Sequence, residues 1–332
     1  MKIKTRKPIM DEKIFQTCLS EWLNHTNGKP FWDNLAKQYG YSTGETLRGM
    51  FKNERKKRGL TKEGLLGEVK DIHQEAPPRP RIAVVDIENL PGTAYFWGLY
   101  DQNIGTEQII LEPCFLSWAG RLLNEPNVKS DILTRTEALS RNASRIAKSC
   151  WDFLSQCDVV IGHNFANFDA KVINTAFLEY NLPPLKYTIV DTLQVARQNF
   201  RFTSNKLKHI NDVLGIRNKI DNEGLALWKK CSEGSKEALN TMLEYNEGDI
   251  LATEELFYRL RPYVKGLNIS LYTESTEEQC PVCGSTKIES IGVKPSGSGM
   301  YVALRCQECE CISRRKENLL NREKRKSLLV KL

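Results

Sequence analysis

The chain has 332 residues, 40% hydrophobic and 27% charged, a balance typical of folded globular protein. No apolar run reaches the ~20 residues that span a bilayer, so no membrane partner is expected. The formal charge of +7 is uneven: 16 basic and 10 acidic residues over 1–80, 21 and 23 over 81–272, and 11 and 8 over 273–332. Basic flanks favour a polyanion such as nucleic acid, although a solvated surface would give the same counts.

Residues 1–74 open on a basic stretch that lacks the apolar core of a secretory signal, and the cytoplasm is the expected compartment. A helical pattern through Phe31–Gly40 is followed by a glycine turn and a second helix from about residue 44. Ala36 and Gly40 have helix-turn-helix spacing, and the second helix carries Arg48, Lys52, Arg55, Lys56, Lys57 and Arg58. It resembles a recognition helix with phosphate-binding residues at its far end. The turn is one residue longer than usual, which keeps a plain helical packing unit as the alternative. Three prolines mark residues 75–80 as a linker, because they remove backbone donors and favour extended chain.

Residues 81–265 alternate strand and helix signals. Arg81–Asp86 is a short β-branched run that reads as a buried strand. Tyr95–Tyr100 and Gln108–Leu111 read as two further strands of an antiparallel meander, turning at Asp101–Gly105. Helical patterns cover about 136–156, 168–180, 192–199, 205–214 and 235–260, with a strand at Asp158–Gly162. The expectation is an α/β domain, a mixed sheet flanked by helices.

Three fragments carry acidic residues. Asp86 and Glu88 are two apart at a strand end, so both point to one face, where a divalent cation would offset the cost of two carboxylates. A polar strand end entering a loop explains them equally. Asp169 opens a helix after the loop His163–Phe168, where N-capping is the milder explanation. Tyr245 and Asp249 lie four apart on a helix, hence on one face, as chance also allows. His163 suggests a general base, but a structural or substrate-contact role suits its strand-end position better. Asp191 stands near a strand end and is not assigned to metal.

The cysteines divide into two sets. Cys18, Cys114, Cys150, Cys157 and Cys231 are scattered among apolar residues and read as buried free thiols. Residues 266–332 hold Cys280-Pro-Val-Cys283 and Cys306-Gln-Glu-Cys309, separated by 22 residues, and resemble a zinc ribbon with one structural Zn²⁺. Cys311 could take the place of Cys309. Arg314, Arg315 and the basic tail suit nucleic acid, and a replication or repair protein is the other partner such a ribbon would take.

Together, Asp86-Ile-Glu88, Asn164 with Phe168-Asp169, and Tyr245 with Asp249 resemble the DnaQ-like 3′–5′ exonucleases of the ribonuclease H-like superfamily, in their tyrosine form. Asp191-Thr-Leu, Asn205-Lys-Leu-Lys, Leu214-Gly215, Trp228, Tyr245-Asn246 and Leu260-Arg-Pro-Tyr263 further resemble exonucleases of tailed bacteriophages, over about residues 81–265. The resemblance implies a ribonuclease H-like sheet and a two-metal-ion hydrolase of nucleic acid, DNA rather than RNA. For a phage protein the compartment would be the host cytoplasm. It also implies two Mg²⁺ or Mn²⁺ ions: Asp86 bridging both, Glu88 and Asp249 completing one site, Asp169 supporting the second, Tyr245 orienting the attacking water, and Asn164 near the nucleic acid. An endonuclease on hybrids or junctions is the first alternative, and a non-catalytic nucleic-acid-binding regulator the second. No polymerase sequence occurs in these residues, so proofreading in cis is not expected.

Overall fold

The computed structural model describes residues 10–23, 29–60, 79–98, 100–101, 103–123, 125–217 and 223–329. The chain divides into two compact units, Met1–Ala76 and Pro77–Leu332. All of the expected linker but Arg79 and Pro80 lies outside the described residues.

The first unit contains α1 (Glu12–Leu23), α2 (Lys29–Gln38) and α3 (Gly44–Lys57). Phe15, Cys18, Trp32, Leu35, Leu47 and Phe51 close into one apolar cluster. Five residues connect α2 to α3, turning at Gly40 with φ 72°, and the Thr43 hydroxyl then caps α3 by accepting from the Thr46 N–H at 3.1 Å. The expected helix, turn and helix are therefore present.

The second unit runs β1 (Ile82–Leu90), β2 (Thr93–Ala94), β3 (Ile109–Leu111), β4 (Cys114–Leu122), β5 (Lys129–Ile132), α4 (Arg135–Ser140), α5 (Ser144–Leu154), β6 (Val159–Gly162), α6 (Asp169–Glu179), β7 (Thr188–Asp191), α7 (Thr192–Asn199), α8 (Leu207–Leu214), α9 (Leu225–Ser232) and α10 (Lys236–Leu260). It ends on β8 (Ile288–Ser296), β9 (Gly299–Cys306), β10 (Ile312–Arg314) and α11 (Arg322–Ser327). The main sheet has the order β5-β4-β1-β6-β7. The β1–β4 and β4–β5 pairs are antiparallel, whereas β1–β6 and β6–β7 are parallel. This is the mixed α/β sheet expected.

Its strands are not all those expected. Among the described residues of the expected strand over 95–100 none is in a strand; Tyr95, Phe96, Trp97 and Tyr100 are exposed, beyond a two-strand pairing of β2 with β3. The place beside β1 belongs to β4, which sequence reading passed over. Its run Phe115–Gly120 is buried on both faces, which gives it no alternation to detect. The helix expected over 136–156 is broken: Arg141 adopts φ 53° between α4 and α5, and its guanidinium donates to the Pro91 and Glu112 carbonyls.

Two apolar layers cover the sheet. Ala83, Val85 and Ile87 of β1 pack with α4, α5, α6 and α9 residues, while Val84 joins Ile161, Ile210, Ile250 and Leu256 on the other face. Alternation thus sends Asp86 and Glu88 to the face that α10 crosses. The second layer continues without a break from Leu256, Phe257 and Leu260 through Ile269 to Cys280, Val282 and Cys306. The C-terminal three-stranded sheet, β10-β9-β8, therefore shares a core with the end of α10. Among the described residues no helix is long and apolar enough to cross a membrane.

Candidate functional site

The second half of β1 and the middle of α10 bring three carboxylates together; β1 runs on to Leu90, so Asp86 and Glu88 lie within the strand and not at its end as expected. One oxygen from each of Asp86, Glu88 and Asp249 lies within 4.8 Å of the others. Asp249 is completely buried. A buried carboxylate beside two more costs several kcal/mol unless a cation or donors offset it. All the candidate donors are hard oxygens, which suits Mg²⁺ or Mn²⁺.

Asp169 is joined to this group through the backbone. It is the first residue of α6, but Phe168 occupies the cap position, so the capping explanation for Asp169 does not apply. Its Oδ1 instead accepts the Ile87 N–H at 3.2 Å, between Asp86 and Glu88 in the chain. Tyr245 lies one turn before Asp249 on α10, with its ring edge-on to Trp228 at 5.9 Å between centroids.

Further residues hold the carboxylates in place. Asn246, fully buried, donates from Nδ2 to Asp86 Oδ2 at 2.8 Å and accepts the Ser117 hydroxyl at 3.0 Å. Trp228 donates from Nε1 to Glu88 Oε2 at 3.2 Å. Sequence reading had noted Asn246 and Trp228 only as matching letters, without these roles. The three-residue spacing of Asn246 and Asp249 could have placed both on the site face; nothing in the sequence marks Ser117.

Two polar residues beside the site are held by their neighbours. Asp191 accepts N–H bonds from Asn164, Ala166, Leu193 and Gln194, which occupies both oxygens and agrees with leaving it off the metal. His163 meets the Thr192 hydroxyl through Nδ1 and the Asn205 carbonyl through Nε2, each at 2.9 Å. Both ring nitrogens are engaged, as a structural role requires. Asn164 itself is half-buried with φ 70°, and its carbonyl accepts from the Asn167 and Phe168 N–H groups to shape the loop before Asp169.

The second cluster is formed by Cys280, Cys283, Cys306 and Cys309, whose sulfurs all lie within 4.8 Å of one another. The Cys280–Cys309 and Cys283–Cys306 separations are 3.5 Å, close to the roughly 3.8 Å edge of a tetrahedron with Zn–S near 2.3 Å. The two knuckles have matching backbones. Gly284 N–H donates to the Cys280 carbonyl and Glu310 N–H to the Cys306 carbonyl, with φ 74° and 64° at those two residues. The following residues, Ser285 and Cys311, use their carbonyls to accept from the Cys280 and Cys306 N–H groups. Cys311 therefore matches Ser285, and Cys309 matches Cys283. A hydrogen bond from Cys311 is the main cause that holds the Cys280 thiol well below the usual thiol range, aided by the Val282 and Cys283 backbone against the effect of burial. The four thiols fit zinc, which would tie the knuckles together structurally.

The scattered cysteines are reduced, and all but the half-buried Cys114 are buried. Burial pushes the Cys157 thiol up to about 12 and those of Cys18 and Cys231 to about 11. Such thiols are poor nucleophiles and poor ligands.

On α3, Arg48, Lys52, Lys56 and Lys57 are exposed, the first three at four-residue steps along one stripe. Arg55 departs from this set. Its guanidinium lies 4.0 Å over the Trp22 ring and donates to the Leu60 carbonyl at 3.1 Å. Arg58 is likewise bound to Glu12 and stacked over Phe15. Aromatic residues of α1 face the end of α3, and these two arginines cover them.

Residues 127–261 match the family described as the RNase H superfamily. A PolC-type DNA polymerase III from Mycoplasma genitalium is 27% identical over 124 residues, which are 37% of this chain and 7% of that protein. The chain thus spans a small part of that relative's length. A family B DNA polymerase from the hyperthermophilic archaeon Pyrobaculum calidifontis superposes with a TM-score of 0.42 at 16% identity, over 60% of this chain and 28% of that one. The matched residues 127–261 include Asp169, Tyr245 and Asp249, whereas Asp86 and Glu88 precede them on β1.

Proposed function

We propose that the chain is a metal-dependent 3′–5′ exonuclease acting on nucleic acid, with DNA the favoured substrate. The observation that carries this reading is the convergence of Asp86, Glu88 and Asp249 within 4.8 Å, on an RNase H-like sheet with Asp169 bonded to the same strand. Asp86, Glu88 and Asp249 would hold divalent metal, with Asp169 supporting a second position. Paired Mg²⁺ ions supply charge for the attacking water and the leaving oxygen of a phosphodiester.

The protein's own groups perform the remaining tasks. Asn246 and Trp228 fix the orientation of the Asp86 and Glu88 carboxylates through the hydrogen bonds described above. Tyr245, one helical turn before Asp249 and packed edge-on against Trp228, would orient the nucleophilic water in line with the scissile bond. Arg48, Lys52, Lys56 and Lys57 offer phosphate contacts on α3, and the resemblance to a helix-turn-helix, a form that enters the DNA major groove, is why DNA is favoured over RNA.

The test uses 5′-labelled single strands of DNA and RNA with Mg²⁺ or Mn²⁺, alongside a circular single strand. Stepwise shortening of the linear DNA, with the circle intact and Asp249→Asn at background, is the expected result. Cleavage of the circle would make the chain an endonuclease. A folded parent protein that shortens no strand would overturn the nuclease reading altogether.

A further inference from the structure

The C-terminal sheet has an outward face that neither the carboxylate site nor the cysteine cluster uses. Register pairs Lys294 of β8 with Tyr301 of β9, and Ala303 of β9 with Arg314 of β10. Tyr301 and Ala303 are two apart, so these four residues share one face. They line an open groove of about 460 Å³, flanked by Ile291 and the exposed Ile312. The Arg314 guanidinium carbon lies over the Tyr301 ring, 3.7 Å from its centre, and the same guanidinium donates to the Arg315 carbonyl at 3.2 Å. None of the residues lining the groove is acidic. Arg315, by contrast, is spent on Glu278 through two hydrogen bonds of 2.6 and 2.9 Å.

We propose that this groove binds single-stranded nucleic acid, with Tyr301 and Arg314 as a stacking platform for a base and Lys294 as a phosphate contact. Its chemistry asks for an occupant with flat π faces and regular negative charge. A single strand offers both, since its unpaired bases expose their faces and its backbone carries a charge at every step. A duplex hides its base faces, and a small anion would leave Ile291 and Ile312 unused. The Arg314–Tyr301 pair forms without ligand, so little ordering is needed when a base arrives. DNA and RNA share this chemistry, because stacking does not read the 2′-hydroxyl. The site would hold the strand away from the carboxylates, and it rests on the nuclease reading only for the class of partner.

The experiment measures anisotropy of labelled oligothymidylate, oligouridylate and a blunt DNA hairpin with the full chain, without added Mg²⁺ so that no strand is cut. Zinc content of each variant is checked first. Tyr301→Ala should weaken both single strands about 5- to 100-fold, as loss of one stacked base does, and leave the hairpin unchanged. Tyr301→Phe, which keeps the ring, should bind as the parent does. Lys294→Ala should lower the slope of log affinity against log salt by about one. Tyr301→Leu keeps apolar bulk and stands in if the alanine variant loses zinc. Parent-like single-strand binding by a zinc-replete Tyr301→Ala or Tyr301→Leu variant would overturn the proposal and leave the face to a protein. Equal loss on strand and hairpin would overturn it too, since stacking would then play no part. These outcomes do not depend on cleavage, so a protein that binds through Tyr301 yet cuts nothing would overturn the nuclease reading alone.

Discussion

Replacing Asn246 tests how the carboxylate site is held. Its amide links the Ser117 hydroxyl on β4 to Asp86 Oδ2 on β1, at 3.0 and 2.8 Å, from a fully buried position. Asn246→Leu keeps the volume and removes both bonds. A hydrogen bond to a charged group is worth ~1.5–3 kcal/mol, and the orphaned Ser117 hydroxyl costs about 1–3 kcal/mol more in stability. Positioning bonds of this kind typically change metal affinity or activity by about 10- to 100-fold. The expected result is a 10- to 100-fold higher half-saturating Mg²⁺ concentration for cleavage, with a smaller loss of rate at saturating metal. Asn246→Asp goes further, because two carboxylates at the 2.8 Å spacing repel by on the order of 6 kcal/mol at an effective dielectric near 20. Divalent metal relieves that repulsion, so added Mg²⁺ should raise the melting temperature of this variant by more than it raises the parent's. Cleavage titrated with Mg²⁺ and thermal unfolding with and without metal give both readouts. The reasoning is refuted if folded Asn246→Leu keeps the parental metal dependence and Asn246→Asp shows no added response to metal.

Other perturbations address separate features. Tyr245→Phe should keep the packing on Trp228 and the response of melting temperature to metal, while the cleavage rate falls by about 10²-fold or more, read as kcat at saturating substrate. Cys309→Ser should lose zinc by metal analysis, whereas Cys311→Ser keeps one zinc per chain; the reverse pattern would exchange their roles. A Cβ on Gly162 would sit 2.7 Å from the Phe165 Cβ and 3.0 Å from the Val85 carbonyl oxygen. Gly162→Ala should therefore cost about 1–3 kcal/mol by denaturant unfolding, the usual effect of overpacking. The hydrogen bond from Arg145, helped by Thr134, holds the Glu137 carboxyl down to about 2 from the ordinary 4.5. A lowered pKa stabilises the folded state above 4.5, and that contribution is lost as pH falls from there towards 2. Glu137→Gln should flatten the stability–pH curve in that window, measured by urea unfolding.

The gaps in sequence reading have local physical causes. Tyr95–Tyr100 is rich in residues that favour strands, but propensity reports a pleated, half-buried surface, and here there is no sheet for those side chains to cover. The segment Phe115–Gly120 lies inside the sheet between β5 and β1, where burial on both faces erases the alternating pattern. The turn between α4 and α5 carries no glycine or proline. It is set by Arg141, whose partners Pro91 and Glu112 are distant in sequence. Helical spacing offers Arg55 as a phosphate contact but does not report the Trp22 ring of α1 that its guanidinium also lies over.

Residue type and short-range spacing were enough to pick out the candidate residues. Asp86 and Glu88 face one way because strands alternate, Tyr245 and Asp249 because helices repeat, and the two cysteine knuckles have spacing that zinc favours. Those periodicities act within a few residues and survive in any fold that keeps the element. The tertiary structure decided which separate pieces meet. It placed α10 across β1 so that Asp249 reaches Asp86 and Glu88, and tied Asp169 to the Ile87 N–H. It also matched Cys309 rather than Cys311 to Cys283 and laid Arg314 on Tyr301. Each of these depends on contacts between residues far apart in the chain, which local pattern does not encode.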